Sequence, residues 1–231
     1  MPTLLPIPPP APFGAAVAFG RTFEETCRQF DLDPGELKGR CVLDVAAGCS
    51  SFTAEACRRG IDAVAVDAAY HHPVHLLAEE VKRGLERDEL AGDSSEPFAT
   101  SRRIERQEHR SAAHRFLSDY EANASRGRYL RGNLPALPFL DGAFDVVICT
   151  RLFAGRSESP DLAAMVDCCA ELLRVTTGGV RIVAGATRLH PDANRLRRLL
   201  AERDLSVRLQ TAGAAKVLVL APGTGRSSIA A

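Results

Sequence analysis

The strongest structural signal in this chain is Val42-Leu43-Asp44-Val45-Ala46-Ala47-Gly48-Cys49-Ser50-Ser51-Phe52. Its apolar start predicts a β-strand over Cys41 to Val45, which runs directly into a turn of small residues. A helix is predicted to follow from Ser51 to Arg59, with Gly60 ending it, and then a second strand from Ala63 to Asp67. Strand, helix and strand in this order predict one βαβ unit.

Further strands and helices alternate toward the carboxyl terminus. A strand is predicted over Phe144 to Cys149, a helix around Leu162 to Leu173, and a strand over Val180 to Ala184. The last two strands, Leu205 to Leu209 and Lys216 to Leu220, are separated by a short segment that contains a glycine, which is typical of a hairpin. The pattern therefore predicts a parallel sheet that is closed by an antiparallel pair.

Two segments lie outside this core pattern. A helix is predicted over Thr22 to Phe30, after a proline-rich arm. Between His71 and Arg128 the chain is charge-rich, and its apolar residues keep helical spacing on both sides of a polar link from Ala91 to Ser101. Two amphipathic helices are expected there, either as a solvated face or as a lid over a binding site.

The composition narrows the class of protein. Of the 231 residues, 45% are hydrophobic and 25% are charged, and 29 basic residues balance 29 acidic ones. This neutral balance disfavours nucleic acid and anionic membranes as partners, and the length suits a single domain with insertions. The seven cysteines include no CxxC pair, which favours reduced thiols in the cytoplasm. Neither a secretory signal nor a membrane span is expected.

The small-residue turn after the first strand is a candidate ligand site. The free N–H groups of a helix start favour an anionic ligand, although any tight junction between a strand and a helix also needs small residues. Asp67 ends the second strand roughly twenty residues after Asp44, where a nucleoside-binding βαβ unit carries its ribose-binding acid. Together the two features indicate a nucleoside site.

Three later segments complete a resemblance to a known family. These are Gly132-Asn133-Leu134-Pro135-Ala136-Leu137-Pro138-Phe139, Phe144-Asp145-Val146-Val147-Ile148-Cys149 and Glu171-Leu172-Leu173-Arg174-Val175. With the turn and Asp67 they resemble the class I methyltransferases that depend on S-adenosylmethionine (SAM), over roughly Leu37 to Leu220 without the insertion. The resemblance implies a Rossmann-like, doubly wound α/β sheet of seven strands, mostly parallel with an antiparallel last strand.

The resemblance also implies the cofactor and its ligands. SAM is the expected cofactor, with the turn around its methionine part, Asp67 on the ribose and Asn133 at the adenine amine. Residues 1–38 form an arm and helix, and residues 39–231 form the SAM-binding domain, with the helical insertion 71–128 covering the pocket. The expected cofactor-binding residues are Asp44, Ala46, Ala47, Gly48, Ser50, Asp67, Ala68, Asn133, Leu134 and Thr150.

The chain departs from the family pattern at several positions. Of three usual glycines in the turn only Gly48 is kept, with Ala46 and Ser50 at the other two places. The adenine-contacting acid is replaced by Asn133, whose amide oxygen can still accept a hydrogen bond. A nicotinamide-dependent dehydrogenase is the alternative for such a βαβ unit, but the GxGxxG pattern that would approach a pyrophosphate is absent.

Few catalytic residues are required, because SAM carries its own activated methyl group. The candidates are Tyr70 and His71, just past the second strand, and Arg151 after the strand that ends at Cys149. Exposed loop histidines and a surface salt bridge are the structural alternatives. His71-His72 with His75 forms an HHxxH string, but no further ligands follow at metal spacing, so no metal is expected.

The resulting functional hypothesis is methyl transfer to a small molecule, as in a tailoring step of natural-product biosynthesis. No separate recognition domain is present for a larger acceptor, and a homodimer is compatible with the sequence. Two alternatives stay open. One is a SAM-binding enzyme that closes the aminobutyryl chain into a ring and releases methylthioadenosine; the other is a SAM-binding regulator without catalytic activity.

Overall fold

The computed structural model describes residues 20–91, 99–150, 152–153, 161–185, 189–190, 192–203 and 205–221. Helices are α1 Phe23–Phe30, α2 Pro34–Leu37, α3 Phe52–Arg58, α4 Val74–Ala91, α5 Ala99–Asn123, α6 Leu162–Arg174 and α7 Ala193–Ala201, with a 3-10 turn at Ala124–Arg126. Strands are β1 Cys41–Val45, β2 Asp62–Asp67, β3 Tyr129–Arg131, β4 Phe144–Cys149, β5 Thr176–Gly185, β6 Ser206–Ala212 and β7 Ala215–Ala221.

The strands form one seven-stranded sheet in the order β3-β2-β1-β4-β5-β7-β6. Strands β1 to β5 pair in parallel, and β7 runs antiparallel to both β5 and β6. The chain leaves β1 toward one edge of the sheet and returns to β4 on its other side, which creates a topological switch point between these strands. The predicted doubly wound α/β fold with an antiparallel last strand is confirmed.

Helices cover both faces of the sheet, because adjacent strand residues point to opposite sides. On one face, Leu43 and Val147 pack in the same cluster as residues of α6 and α7. On the other, Val42 and Ile148 pack with α1 and α3, where the rings of Phe23 and Phe52 stack with their centroids 5.4 Å apart. Among the described helices, none has the length and apolar character needed to cross a bilayer.

Four local features differ from the sequence-based prediction. Strand β3 has three residues, too few to show a periodicity, and it was not located. Strand β5 begins at Thr176 because Thr176 and Gly179 extend the pairing with β4 across a register shift. Pro34–Leu37 forms a short helix that the sequence pattern did not indicate. Helices α4 and α5 extend to Ala91 and from Ala99, so the link between them is shorter than expected, and 92–98 lie outside the described residues.

The helical insertion is anchored to the sheet by an aromatic cluster of Tyr70, Phe116, Tyr120 and Tyr129. Neighbouring rings of this cluster have centroids between 5.4 and 5.6 Å apart. The same hydrophobic cluster contains Ala47 and Cys49 of the small-residue turn. Helix α5 therefore packs directly against the turn that follows β1.

Two motifs of the family resemblance serve the structure. The Asp145 carboxylate accepts a hydrogen bond from the N–H of Cys41 at 2.8 Å and so holds the start of β1 beside β4. Glu171 accepts from the N–H of Leu137 at 2.6 Å, and Arg174 donates to Glu171 and to the carbonyl of Phe139. These bonds fasten the segment after β3 to helix α6.

Candidate functional site

The small-residue turn lies at the carboxyl end of β1, beside the switch point. Ala46 and Gly48 both have positive φ, at 55° and 59°, a conformation that glycine adopts freely but that strains the backbone at Ala46. The N–H of Ala46 donates to the carbonyl of Val66 at 2.8 Å, and the Ser50 hydroxyl accepts from the N–H of Phe52 at 3.2 Å. The turn is thus tied to β2 on one side and to α3 on the other.

Asp44 is the most unusual residue of this region. It is 1% exposed, and neither of its carboxylate oxygens has a hydrogen-bond partner among the described residues. Burial raises the pKa of Asp44 to about 7, while the positive charge of Arg21 acts in the opposite direction. A buried carboxylate left in this state is a strong indication of a missing ligand, because buried polar groups are nearly always hydrogen-bonded.

Asp67 lies next to the turn, as the spacing predicted. One carboxylate oxygen accepts from the N–H of Gly48 at 3.0 Å and the other from the N–H of Ala69 at 2.9 Å. These two bonds fix the orientation of the Asp67 carboxylate beside the turn. The structure therefore brings together the predicted turn and the predicted acidic strand end.

Two more predicted residues reach the same edge from neighbouring strands. Asn133 follows β3 by two residues, and the register of the sheet sets Arg131 opposite Asp67. Thr150 directly follows β4, where Cys149 is level with Val45 of β1. The amide nitrogen of Asn133 and the hydroxyl of Thr150 are both buried without a hydrogen-bond partner in the described part of the chain.

The remaining predicted cofactor residues lie around the turn with smaller roles. Ala47 is 1% and Ser50 is 2% exposed, so their side chains support the turn from within. Leu134 packs into the core cluster on the face of α6. Ala68 is partly exposed after β2, and its carbonyl oxygen lies 2.7 Å from Nδ1 of His71.

The three catalytic candidates are placed very differently. The Tyr70 hydroxyl is buried and donates to the carbonyl of Gly48 at 2.6 Å, and burial raises its pKa well above the ordinary value. His71 is exposed, and because a carbonyl can only accept, the 2.7 Å contact with Ala68 assigns the proton to Nδ1 and leaves Nε2 as the basic nitrogen. Arg151 lies outside the described residues.

Sequence reasoning missed one residue of this site. Arg21 immediately precedes the cap of α1, and its Nε and Nη2 atoms are buried without hydrogen-bond partners in the structure as described. Its charge acts on the buried Asp44 carboxyl. No local pattern marks Arg21, because it belongs to a segment that meets β1 only in the folded chain.

Within the described ranges, no group of three or more His, Cys, Asp or Glu side chains is arranged to hold a metal ion. The rings of His71 and His72 have centroids 3.8 Å apart and are tilted by 39°, and Nε2 of His72 lies 3.9 Å from Oε1 of Glu80. The vicinal Cys168 and Cys169 are buried in α6 and belong to the core.

The strand order and the site together define a Rossmann-like fold of the class I methyltransferase type. No family model matches the chain. Among curated proteins, an uncharacterized protein of Methanocaldococcus jannaschii is 31% identical over an alignment of 136 residues, and this alignment covers 56% of this chain. The chain covers 60% of that relative, which is less than two thirds of its length.

Several solved structures are similar to the chain at low identity. Magnesium protoporphyrin IX methyltransferase of Synechocystis PCC 6803, with bound SAM, aligns with 82% of this chain and 73% of its own at 13% identity and a TM-score of 0.47. A TehB-like SAM-dependent methyltransferase of Corynebacterium glutamicum aligns over 81% and 82% at 14% identity and 0.45. A protein of Pyrococcus horikoshii aligns over 87% and 91% at 14% identity and 0.47.

Proposed function

We propose that the protein binds SAM at the carboxyl edge of β1 to β4 and transfers its methyl group to a small-molecule acceptor. The observation that carries this proposal is the convergence of buried, unpartnered polar atoms from Asp44, Asn133 and Thr150 on one edge of the sheet. In doubly wound sheets, ligands bind outside the carboxyl ends of the strands at the switch point. Asp44 lies in β1 and Thr150 follows β4, the two strands that flank this point, and Asn133 follows β3 at the same edge.

The unpartnered groups suit the polar parts of SAM. The Asp44 carboxylate can accept from the α-ammonium group, and the Asp67 carboxylate is the acceptor proposed for the ribose hydroxyls. The Asn133 amide offers a donor and an acceptor side by side, the arrangement with which asparagine pairs with adenine edges elsewhere. The positive φ of Ala46 and Gly48 keeps the turn compact enough for the methionine part to lie over it.

The chain's own contribution to the reaction is binding, orientation and proton transfer. SAM, when bound, supplies the activated methyl group. Tyr70 positions the turn through its bond to Gly48. His71 is the candidate base, since its Nε2 is the basic nitrogen and its ring is exposed just past the strand end that carries Asp67. Arg151 stays a candidate for holding a carboxylate of the acceptor.

The proposal also covers the class of acceptor, the role of the helical insertion and the cellular compartment. A small-molecule acceptor and a natural-product tailoring step are part of the proposal, supported by the absence of net charge and by the packing of α5 beside the turn. The segment 71–128 is proposed to cover the pocket as an insertion in a SAM-binding domain of residues 39–231, after an arm and helix in residues 1–38. All seven cysteines are free thiols, which supports a reducing, cytoplasmic compartment.

Calorimetric titration with SAM and S-adenosylhomocysteine tests the binding site. Asp67→Asn removes the charge that accepts from the ribose, and we expect affinity to fall by about 1.5–3 kcal/mol, as for hydrogen bonds to charged groups. Asp62→Asn is the matched control, because Asp62 begins the same strand and is exposed. Equal affinities for the wild type and both variants would exclude this edge as the ribose site.

Product analysis separates the reaction classes. The protein is incubated with SAM and extracts that contain candidate acceptors, and the nucleoside products are identified by mass spectrometry. S-adenosylhomocysteine is the expected product of methyl transfer. Methylthioadenosine would show attack on the aminobutyryl chain instead, and tight SAM binding without any product would identify a regulator.

A further inference from the structure

Arg21 is held on the turn by its backbone. Its carbonyl oxygen accepts from the N–H of Ser51 at 2.9 Å and from the Ser50 hydroxyl at 3.3 Å. These donors belong to the turn that follows β1. The position of Arg21 is therefore set by the proposed cofactor site itself.

The opposite side of the same segment is held by the insertion. A Cβ atom added at Gly20 would lie 2.2 Å from the carbonyl oxygen of His109 and 2.6 Å from the nitrogen of Ala113, both in α5. Real Cβ atoms do not approach backbone so closely, so only glycine permits this contact. Residues 20 and 21 are thus enclosed between α5 and the turn.

The Arg21 side chain presents an unused pair of donors. Nε and Nη2 form the side-on fork with which arginine binds a carboxylate through two parallel hydrogen bonds, and both are buried without a partner in the described chain. Two carboxyls lie within its electrostatic reach, Glu25 and Asp44. Glu25 is already ion-paired with His109 at 3.3 Å, whereas Asp44 accepts no hydrogen bond from Arg21 or from any other described residue.

We infer that Arg21 and Asp44 form a receptor for the α-amino-acid end of the cofactor, in which Arg21 binds the carboxylate and Asp44 binds the ammonium group. A buried cation donor and a buried anion acceptor that leave each other unbonded match a zwitterion, which supplies the opposite charge to each. This inference rests on the proposed function and makes it specific. The insertion contributes because α5 packs against Gly20 and so fixes the backbone that carries the Arg21 side chain.

The consequence is selectivity for ligands that carry a free carboxylate. Decarboxylated SAM retains the adenosine, the sulfonium and the amine, so it preserves every proposed contact except those of Arg21. Wild-type protein should bind SAM roughly 10-fold to 100-fold more tightly than decarboxylated SAM, which corresponds to hydrogen bonds between charged groups.

The test is calorimetric titration of full-length variants with both ligands. Arg21→Met keeps the length of the side chain and removes the fork, and we expect it to weaken SAM binding roughly 10-fold to 100-fold while leaving decarboxylated SAM within about threefold. Arg28→Met, on the exposed side of α1, is the control for loss of one positive charge. Gly20→Ala should reproduce the loss of selectivity through displacement of Arg21.

The outcomes are distinct. If Arg21→Met weakens both ligands equally, or if the wild type does not distinguish them, the receptor is wrong while the SAM site stands. If the wild type binds neither ligand, the proposed function itself fails and the receptor with it. Thermal unfolding of each variant separates loss of binding from loss of folding.

Discussion

The two ends of strand β4 differ in whether their polar groups have hydrogen-bond partners among the described residues. At its amino end, Asp145 accepts from the N–H of Cys41, and the carbonyl of Phe144 accepts from the hydroxyl of Thr176 at 3.0 Å. At its carboxyl end, the hydroxyl of Thr150 and the carboxylate of neighbouring Asp44 are buried without partners among the described residues. At the amino end these groups are hydrogen-bonded within the chain, and at the carboxyl end they are the groups that the proposed cofactor would bind.

The amino end of β4 therefore contributes to the stability of the sheet, whereas the carboxyl end is the proposed ligand site. A buried polar group with its partners contributes modestly to the free energy of folding, whereas one without partners costs a full desolvation penalty. Gln29, Thr53 and Glu80 also carry buried side-chain atoms without partners in the described chain, but at the carboxyl edge several such atoms lie together, where a bound cofactor can supply the missing partners. Changes at the two ends should therefore have opposite signatures in stability and in binding.

The largest effect is expected from Asp44→Asn. In the ligand-free protein above pH 7, this change removes an uncompensated buried charge and should raise the free energy of unfolding by about 4 kcal/mol, given that the pKa of Asp44 is raised from 3.8 to about 7. The same change should weaken SAM binding. Chemical denaturation and calorimetry measure the two quantities.

The pH dependence of the Asp44 effect is a sharper measurement. A carboxyl whose folded-state pKa is raised binds its proton more tightly in the folded state, so the wild type should lose stability relative to Asp44→Asn as pH rises from 4 to 7. Above pH 7 the difference should be constant, and below pH 4 it should be small. A difference in stability that does not change with pH would show that folding does not raise the pKa of Asp44.

The next effect is expected at the amino end. A Cβ at Gly178 would lie 2.1 Å from the backbone oxygen of Asp145, so Gly178→Ala must move one strand and should lower the free energy of unfolding by about 2–3 kcal/mol. Gly179→Ala is the matched control, because its Cβ would meet Leu220 at 3.3 Å. Urea denaturation should rank the two variants in this order, and equal losses would contradict the close contact.

The smallest effect is expected from Glu171→Gln. Glu171 accepts from Leu137 at 2.6 Å and from Arg174 at 2.7 Å, and the amide keeps its shape while it loses the charge and one acceptor. The free energy of unfolding should fall by about 1–2 kcal/mol. If the comparison of the two ends is right, SAM affinity stays within about threefold, whereas a larger loss would place Glu171 in the binding site.

Much of the fold could be predicted because its signals are local. Strands β1 and β4 were predicted with their observed bounds, since each is a short apolar run between turn residues. Strand β3 was missed because three residues at the sheet edge carry no periodicity. The antiparallel β7 followed from the short glycine-containing segment before it, which allows only a hairpin.

The candidate site was predicted where spacing alone places a residue at a strand end. Asp44, Asp67 and Thr150 directly end or follow parallel strands, so the shared direction of the strands brings them to one edge. Tyr70 was predicted as a catalytic residue from its position, but a sequence does not show that its hydroxyl is bonded to Gly48. Its role in positioning the turn depends on that contact.

The sequence by itself determined the order of strands and helices, the turn after β1 and the acid that ends β2, because each depends on the pattern of residues adjacent along the chain. Only the tertiary structure decided which polar groups are left without partners and that Arg21 lies beside Asp44. Burial and hydrogen bonding depend on segments distant along the chain, such as Gly20 against α5, and no local pattern contains them.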